Sequence, residues 1–323
     1  MGDQQERQNR AVTDRVFPAP VSGVSVRAGQ WRMAGLGSCL STAAAVLLGA
    51  LCAPSILLAA EPLDIRIEAG FTTDDNVTRA RGADRLSDQS YSLNLSKSLD
   101  IPVSQHTRLL LLGFLGGEKF RAYTGLSRYF YGIQGEFQYR ASGEFGSPIF
   151  GAFVRGSKDQ YESDLRDGYR YSAGLTVRKP VTDRIHLFGN LAYNVRDGKS
   201  IVFDTKDWSA RLNLDYALTR SGSVYLGGEY RRGDVVSTAL PSPIAEAIAE
   251  ADVRDDAFTG IVRQAYRLKA RTALATIGYN LAFGEGQALD VSWRWVQSTP
   301  TSAQGNSIRY FDNQFTVAYL IRF

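Results

Sequence analysis

Residues 315–323 read Phe-Thr-Val-Ala-Tyr-Leu-Ile-Arg-Phe, and every second position, Phe315, Val317, Tyr319, Ile321 and Phe323, is apolar. Thr316, Ala318, Leu320 and Arg322 form the other set. A period of two marks a strand whose faces lie in different surroundings. The pattern returns along the chain. Leu63, Ile65, Ile67, Ala69 and Phe71 alternate with Asp64, Arg66, Glu68 and Gly70. Trp208, Ala210, Leu212, Leu214, Tyr216 and Leu218 alternate with Ser209, Arg211, Asn213 and Asp215. Twelve such segments fit between residues 61 and 323. One of them, about 107–118, is apolar on both faces, so its phase is open.

Short connections fall near 100–106, 141–147, 179–184, 219–222 and 284–286, with longer ones between them. Beyond residue 61 the longest apolar run is Leu109 to Leu115, far below the roughly 20 residues of a membrane-spanning helix. A chain of this kind crosses a membrane with strands, hiding its hydrophobicity by alternation. The expected fold is an all-β, antiparallel, up-and-down transmembrane barrel over 61–323. With both termini on one side the strand number is even, which gives twelve. Fourteen is the alternative if segment 234–271 hides a further hairpin. That segment reads as one long outer loop with a short helix, capped by Ser242 with Pro243 in its first turn. Tyr91, Tyr129, Tyr169, Tyr193, Trp208 and Tyr230 fall at one set of strand ends, and Tyr139, Tyr216, Tyr279, Phe283, Tyr319 and Phe323 at the other. Two aromatic girdles are what two membrane interfaces ask for.

The terminal strand ending on Phe323 resembles the C-terminal signature of Gram-negative outer-membrane β-barrel proteins, with short turns in the periplasm and long loops outside the cell. The resemblance implies recognition of Phe315, Val317, Tyr319, Ile321 and Phe323 by the barrel-assembly machinery. It also implies periplasmic chaperones on the way, and outer-membrane lipid and lipopolysaccharide as surroundings. Residues 40–60 are apolar and uncharged behind Arg27 and Arg32. Residues 1–60 therefore read as an extension plus a secretory signal for the Sec route, cleaved after Ala60 or near Ala53. Both cysteines, Cys39 and Cys52, lie in that segment, so the exported part is expected to have no disulfide or thiolate chemistry.

The net charge is +4, and residues 1–60 hold five Arg against three acidic residues, which leaves the rest nearly balanced. That excludes an electrostatic nucleic-acid binder. The inward phase carries Arg66, Arg140, Arg170, Arg178, Arg211 and Arg294, with Asp215 and Asp290 among the acids beside them. These are the candidate solute-path residues of a narrow, porin-like channel for small anionic or saccharide solutes. Asp64, Glu68, Asp215 and Asp290, near these arginines in sequence, are the expected counter-charges. In architecture this resembles twelve-stranded channels for acidic sugars. The alternative is a non-transporting barrel, a scaffold or a component of surface polysaccharide or lipoprotein export. Asp75-Asn76-Val77 is similar to a step in such barrels. An outer-membrane lipid hydrolase is a third reading, but His106 and His186 stand alone and no His-x-Ser-Asn run exists. No catalytic residue, metal site or cofactor is assigned. Asp74-Asp75-Asn76 reads as a solvated turn before a calcium loop.

Overall fold

The computed structural model describes residues 64–323, apart from 259, 261, 284, 285 and 303–307. The expected signal segment lies outside the described residues. The first strands are β1 (Ile65–Asp74), β2 (Asp88–Pro102), β3 (Thr107–Phe120), β4 (Arg128–Arg140), β5 (Ile149–Tyr161) and β6 (Gly168–Pro180). Then come β7 (Ile185–Gly198), β8 (Thr205–Ala217), β9 (Gly222–Ala239), helix α1 (Pro243–Ile248), β10 (Ala251–Arg254), β11 (Gln264–Ala282), β12 (Gln287–Pro300) and β13 (Tyr310–Arg322). Every neighbouring pair is antiparallel. β9 pairs directly with β11, and β13 closes on β1 from Arg66↔Arg322 to Asp74↔Gln314. The wall is a closed barrel of twelve strands, and the short β10 pairs only with the far end of β11. Fourteen strands is ruled out, since the 239–264 connection adds no strand to the wall.

Alternation decides the faces. Leu93 is 59% exposed, Ile133 73%, Leu175 61% and Leu212 60%, and all lie on the outer surface. A belt of this extent around the whole wall is far larger than the apolar patches of soluble proteins and matches a lipid surround. Among the described residues no helix is long and apolar enough to cross a membrane. Register also fixes β3. Leu115 lies opposite Leu95 and Tyr131, so Leu109, Leu111 and Leu115 face out while Leu110, Leu112 and Phe114 face in.

The expected loop 234–271 is shorter than its bounds. β9 continues to Ala239 and β11 starts at Gln264. The reading failed because both faces of this extension are covered. Tyr266 and Leu268 pack against Ala245, Ile248 and Ile308, while Ala265 and Val236 pack with Val202 and Phe203. With no solvent face, the period of two disappears. Helix α1 stands as expected, with Ser242 Oγ accepting from the Ala245 amide and Pro243 in the first turn.

Candidate functional site

The two ends of the barrel are built differently. At the turn end, hairpins such as Leu218 to Gly222 and Val181 to Ile185 close within four residues. At the loop end, the β9–β11 connection lies six strands from the β3–β4 connection whichever way round the wall is counted. Its residues nevertheless reach that far side. Ala257 and Phe258 are buried with Val77, Phe120 and Leu126, and the Tyr123 ring lies tilted against Phe258 with centres 5.1 Å apart. Gly125 permits this approach, because a Cβ there would strike the Ala257 backbone. The β9–β11 connection thus meets the β3–β4 loop over the mouth, with Ala257 and Phe258 at the contact.

Polar contacts fasten this cap. Asp255 accepts from Arg166 and from Thr238, and Asp256 accepts from Ser163. From the other side the β1–β2 loop folds in. Asn76 is fully buried. Its Nδ2 donates to the carbonyls of Ala80 and Phe311, at 2.8 and 2.7 Å, and its Oδ1 accepts from the Ala80 amide at 3.1 Å. The Thr78 carbonyl accepts from the Thr238 amide at 2.8 Å. Asp74 and Asn76 of this turn are therefore buried, and Asp75 alone of the three keeps contact with solvent. Asp74, Asp75 and Asp312 converge there, but guanidinium groups meet their charge. Arg79 pairs with Asp74 at 2.9 Å and Asp312 at 2.7 Å, and Arg85 with Asp75 at 2.9 Å. Burial opposes the Arg79 charge, yet Asp312 and Asp74 outweigh it and hold its pKa above the ordinary arginine value.

Beneath the cap the lumen is crowded with arginines. Arg128 donates to Glu118 at 3.0 Å and to Asp159 at 3.2 Å, and Arg170 shares Asp159 and donates to the Tyr161 hydroxyl at 2.9 Å. Arg178 grips Glu136 with both Nη atoms, at 2.8 and 3.2 Å. That contact runs from β6 to β4 over Gly151 of β5, where any side chain would collide with Glu136 and Thr176. Arg211 and Arg231 both pair with Glu229. The counter-charges are thus Glu118, Glu136, Asp159 and Glu229. Three of the expected acids are engaged elsewhere: Asp64 takes Arg322 at 2.7 Å, Asp290 accepts from the Tyr225 hydroxyl at 3.0 Å, and Asp215 lies opposite His186, while Glu68, two residues from Arg66, accepts from Asn94 Nδ2 at 3.4 Å. Cross-strand register sets the partners of Arg211 and Arg178, with Glu229 and Glu136 lying 18 and 42 positions away in the chain.

Among the described residues, Arg140, Arg155, Arg196 and Arg294 have no carboxylate at ion-pair distance. Arg196 sits directly opposite Arg170 on adjacent strands, an arrangement that destabilises unless an acceptor intervenes. Arg196 donates to the Arg166 carbonyl at 2.6 Å, and Arg155 lies 4.2 Å from the centre of the Phe114 ring. Arg294 borders a small void of about 50 Å³ with Arg211, Asn213, Tyr225 and Glu229. Arg66 lies at the turn end opposite Arg322, away from Arg170 and Arg196 near the cap. The sequence reading missed the inward phenylalanines. Phe114 faces Gly132, Phe130 faces Gly116 and Phe153 faces Gly174 across their ladders. The repeated inward Gly opposite an aromatic was the available signal.

No protein-family model matches the chain, and no curated protein matches it. Among solved structures, an outer-membrane channel from Pseudomonas putida F1 is similar with a TM-score of 0.50 and 12% identity, over 84% of this chain and 100% of that one. The KdgM porin in complex with disordered oligogalacturonate is similar at a TM-score of 0.39 and 11% identity, over 80% of this chain and 99% of that one. The NanC porin gives 0.42 and 6%, over 80% of this chain and 100% of that one. The likeness is one of fold: this chain has the architecture of outer-membrane β-barrel channels.

Proposed function

We propose that the protein is an outer-membrane channel, with its loop end outside the cell, whose mouth is shut in this state. When the cap yields, it passes small anions that carry a ring or other apolar face. The observation that carries this reading is the juxtaposition of arginines lacking a carboxylate with inward phenylalanine rings, Arg155 over Phe114 above all. Guanidinium groups hold their charge at any working pH and take carboxylates or phosphates bidentately. A ring face beside them suits an acidic sugar or aromatic acid better than a bare halide. The five paired arginines, Arg128, Arg170, Arg178, Arg211 and Arg231, brace the wall and leave selectivity to the unpaired ones. In this reading the chain is exported by the Sec route and inserted by the assembly machinery through its last strand.

The cap's own apolar core favours a second reading, a barrel that does not conduct and serves as a scaffold. Planar-bilayer recordings in a salt gradient separate the two. The wild type is expected to conduct little, and a form with residues 243–258 replaced by a short Gly-Ser linker is expected to conduct with anions preferred. Arg155→Glu with Arg294→Glu in that form should reverse the preference. A linker form that is folded yet silent would support the scaffold.

A further inference from the structure

The outer wall near the loop end carries charges that the lumen reading does not use. Four outward positions lie in one row across β7, β8, β9 and β11: Tyr193, Trp208, Arg232 and Arg271, each opposite the next. Arg232 and Arg271 are exposed and directly opposed. Among the described residues neither side chain has a hydrogen bond, ion pair or ring contact. The next row up is different, because Lys269 there pairs with Asp234 at 2.5 Å and with Glu250 at 3.4 Å. Like charges placed face to face repel, so the bare arginine pair is a place where an anion from outside would be stabilised.

What lies below the pair narrows the anion's identity. The next row down is Leu191, Ala210 and Tyr230, and below it Gly189, Leu212 and Gly228. The two glycines flanking Leu212 and the small Ala210 leave an apolar depression of about 650 Å³ in the outer wall. From Leu212 to the level of Trp208 is four strand residues, about 13 Å at the rise of a β-strand. Trp208 and Tyr193, with ring centres 4.7 Å apart, sit beside the arginines, at the depth where aromatic residues meet headgroups. One ligand therefore needs a phosphate at the top and a hydrocarbon chain below it.

We infer that Arg232 and Arg271 clamp a phosphate of a phosphorylated, multiply acylated glycolipid of the outer leaflet, with one acyl chain lying in the depression over Gly189 and Gly228. The site rests on the outward orientation of the loop end and not on conduction through the lumen. Each guanidinium gives two parallel donors to phosphate oxygens, and the lipid's charge relieves the repulsion between them.

Native mass spectrometry of the detergent-extracted full barrel tests this, using purified diphosphoryl lipid A as the probe. The wild type is expected to retain lipid A, and R232Q with R271Q should weaken retention on the order of tenfold to a hundredfold, the loss expected for two charge-assisted contacts. Leu212→Trp, which fills the depression without touching the arginines, should weaken it as well. Heat-modifiable mobility on gels checks that each variant is a folded barrel. Equal retention by wild type and the arginine variant overturns the site. So does equal retention of fully dephosphorylated lipid A, or displacement of lipid A by inorganic phosphate, which would mark a free-anion site only. Conductance of the same preparations separates the outcomes: a lipid A site on a silent barrel leaves this inference standing while the channel fails. Localisation of the barrel away from the outer membrane would remove the orientation on which both rest.

Discussion

The loop end and the turn end of this barrel are closed by opposite means. The turn end uses chain brevity: hairpins such as Leu218 to Gly222 bond back within four residues, and the ion pair of Arg322 on the last strand with Asp64 beside the first is exposed at 40% and 28%. The loop end uses packing. Phe120 and Phe203 are completely buried there, Asp74 and Asp312 are 2% and 0% exposed, and Ala257 and Phe258 pack against Phe120 and Leu126 from the β9–β11 connection. Each end therefore draws its stability from a different source. A tight hairpin needs only local geometry, whereas a mouth twelve strands wide can be shut only by loops that bury apolar surface against one another. Such a cap has its own small cores and can loosen without the wall coming apart.

The largest effect is expected of Arg79→Ala. It leaves Asp74 and Asp312 buried without their shared cation, and removing one member of a buried ion network costs about 3–5 kcal/mol. Hydrogen exchange should then show the β1–β2 loop and 255–258 opening together, with the turn end unchanged. Protection lost evenly over the barrel would mean that the cap is no separate unit. The wall between the ends gives the next effect. Leu212 faces outward at the middle of β8, so Leu212→Arg should cost about 2–4 kcal/mol in lipid, read from urea unfolding in vesicles. Its inward neighbour Asn213→Arg should cost far less, and similar costs for both would refute the assigned faces. The smallest effect belongs to the turn end. Arg322→Ala removes an exposed pair and should cost about 0–1 kcal/mol. Deleting Phe323, whose amide bonds the Ile65 carbonyl at 2.9 Å, is expected to lower outer-membrane levels by impairing assembly, measured by fractionation and immunoblotting. Normal levels would remove the assembly role of the last residue.

The sequence by itself determined the wall. Strand periodicity is a local property, since each side chain's face follows from its neighbour's, and the lipid outside enforces it at every turn of the chain. Twelve strands, the faces of all but β3, the five tight turns, helix α1 and the inward phase of Arg140, Arg170, Arg178, Arg211 and Arg294 were all legible that way. The tertiary structure alone decided what those residues do. The partners of Arg178 and Arg211 are Glu136 and Glu229, set by register around the barrel. The burial of Asn76, the meeting of Ala257 and Phe258 with the β3–β4 loop and the bare pair of Arg232 and Arg271 depend on contacts between segments far apart in the chain. Where loops cover both faces of a strand, as at Tyr266 and Ala265, the environment no longer alternates and neither does the sequence. The period of two reports the lipid boundary, and it falls silent where protein packs on protein.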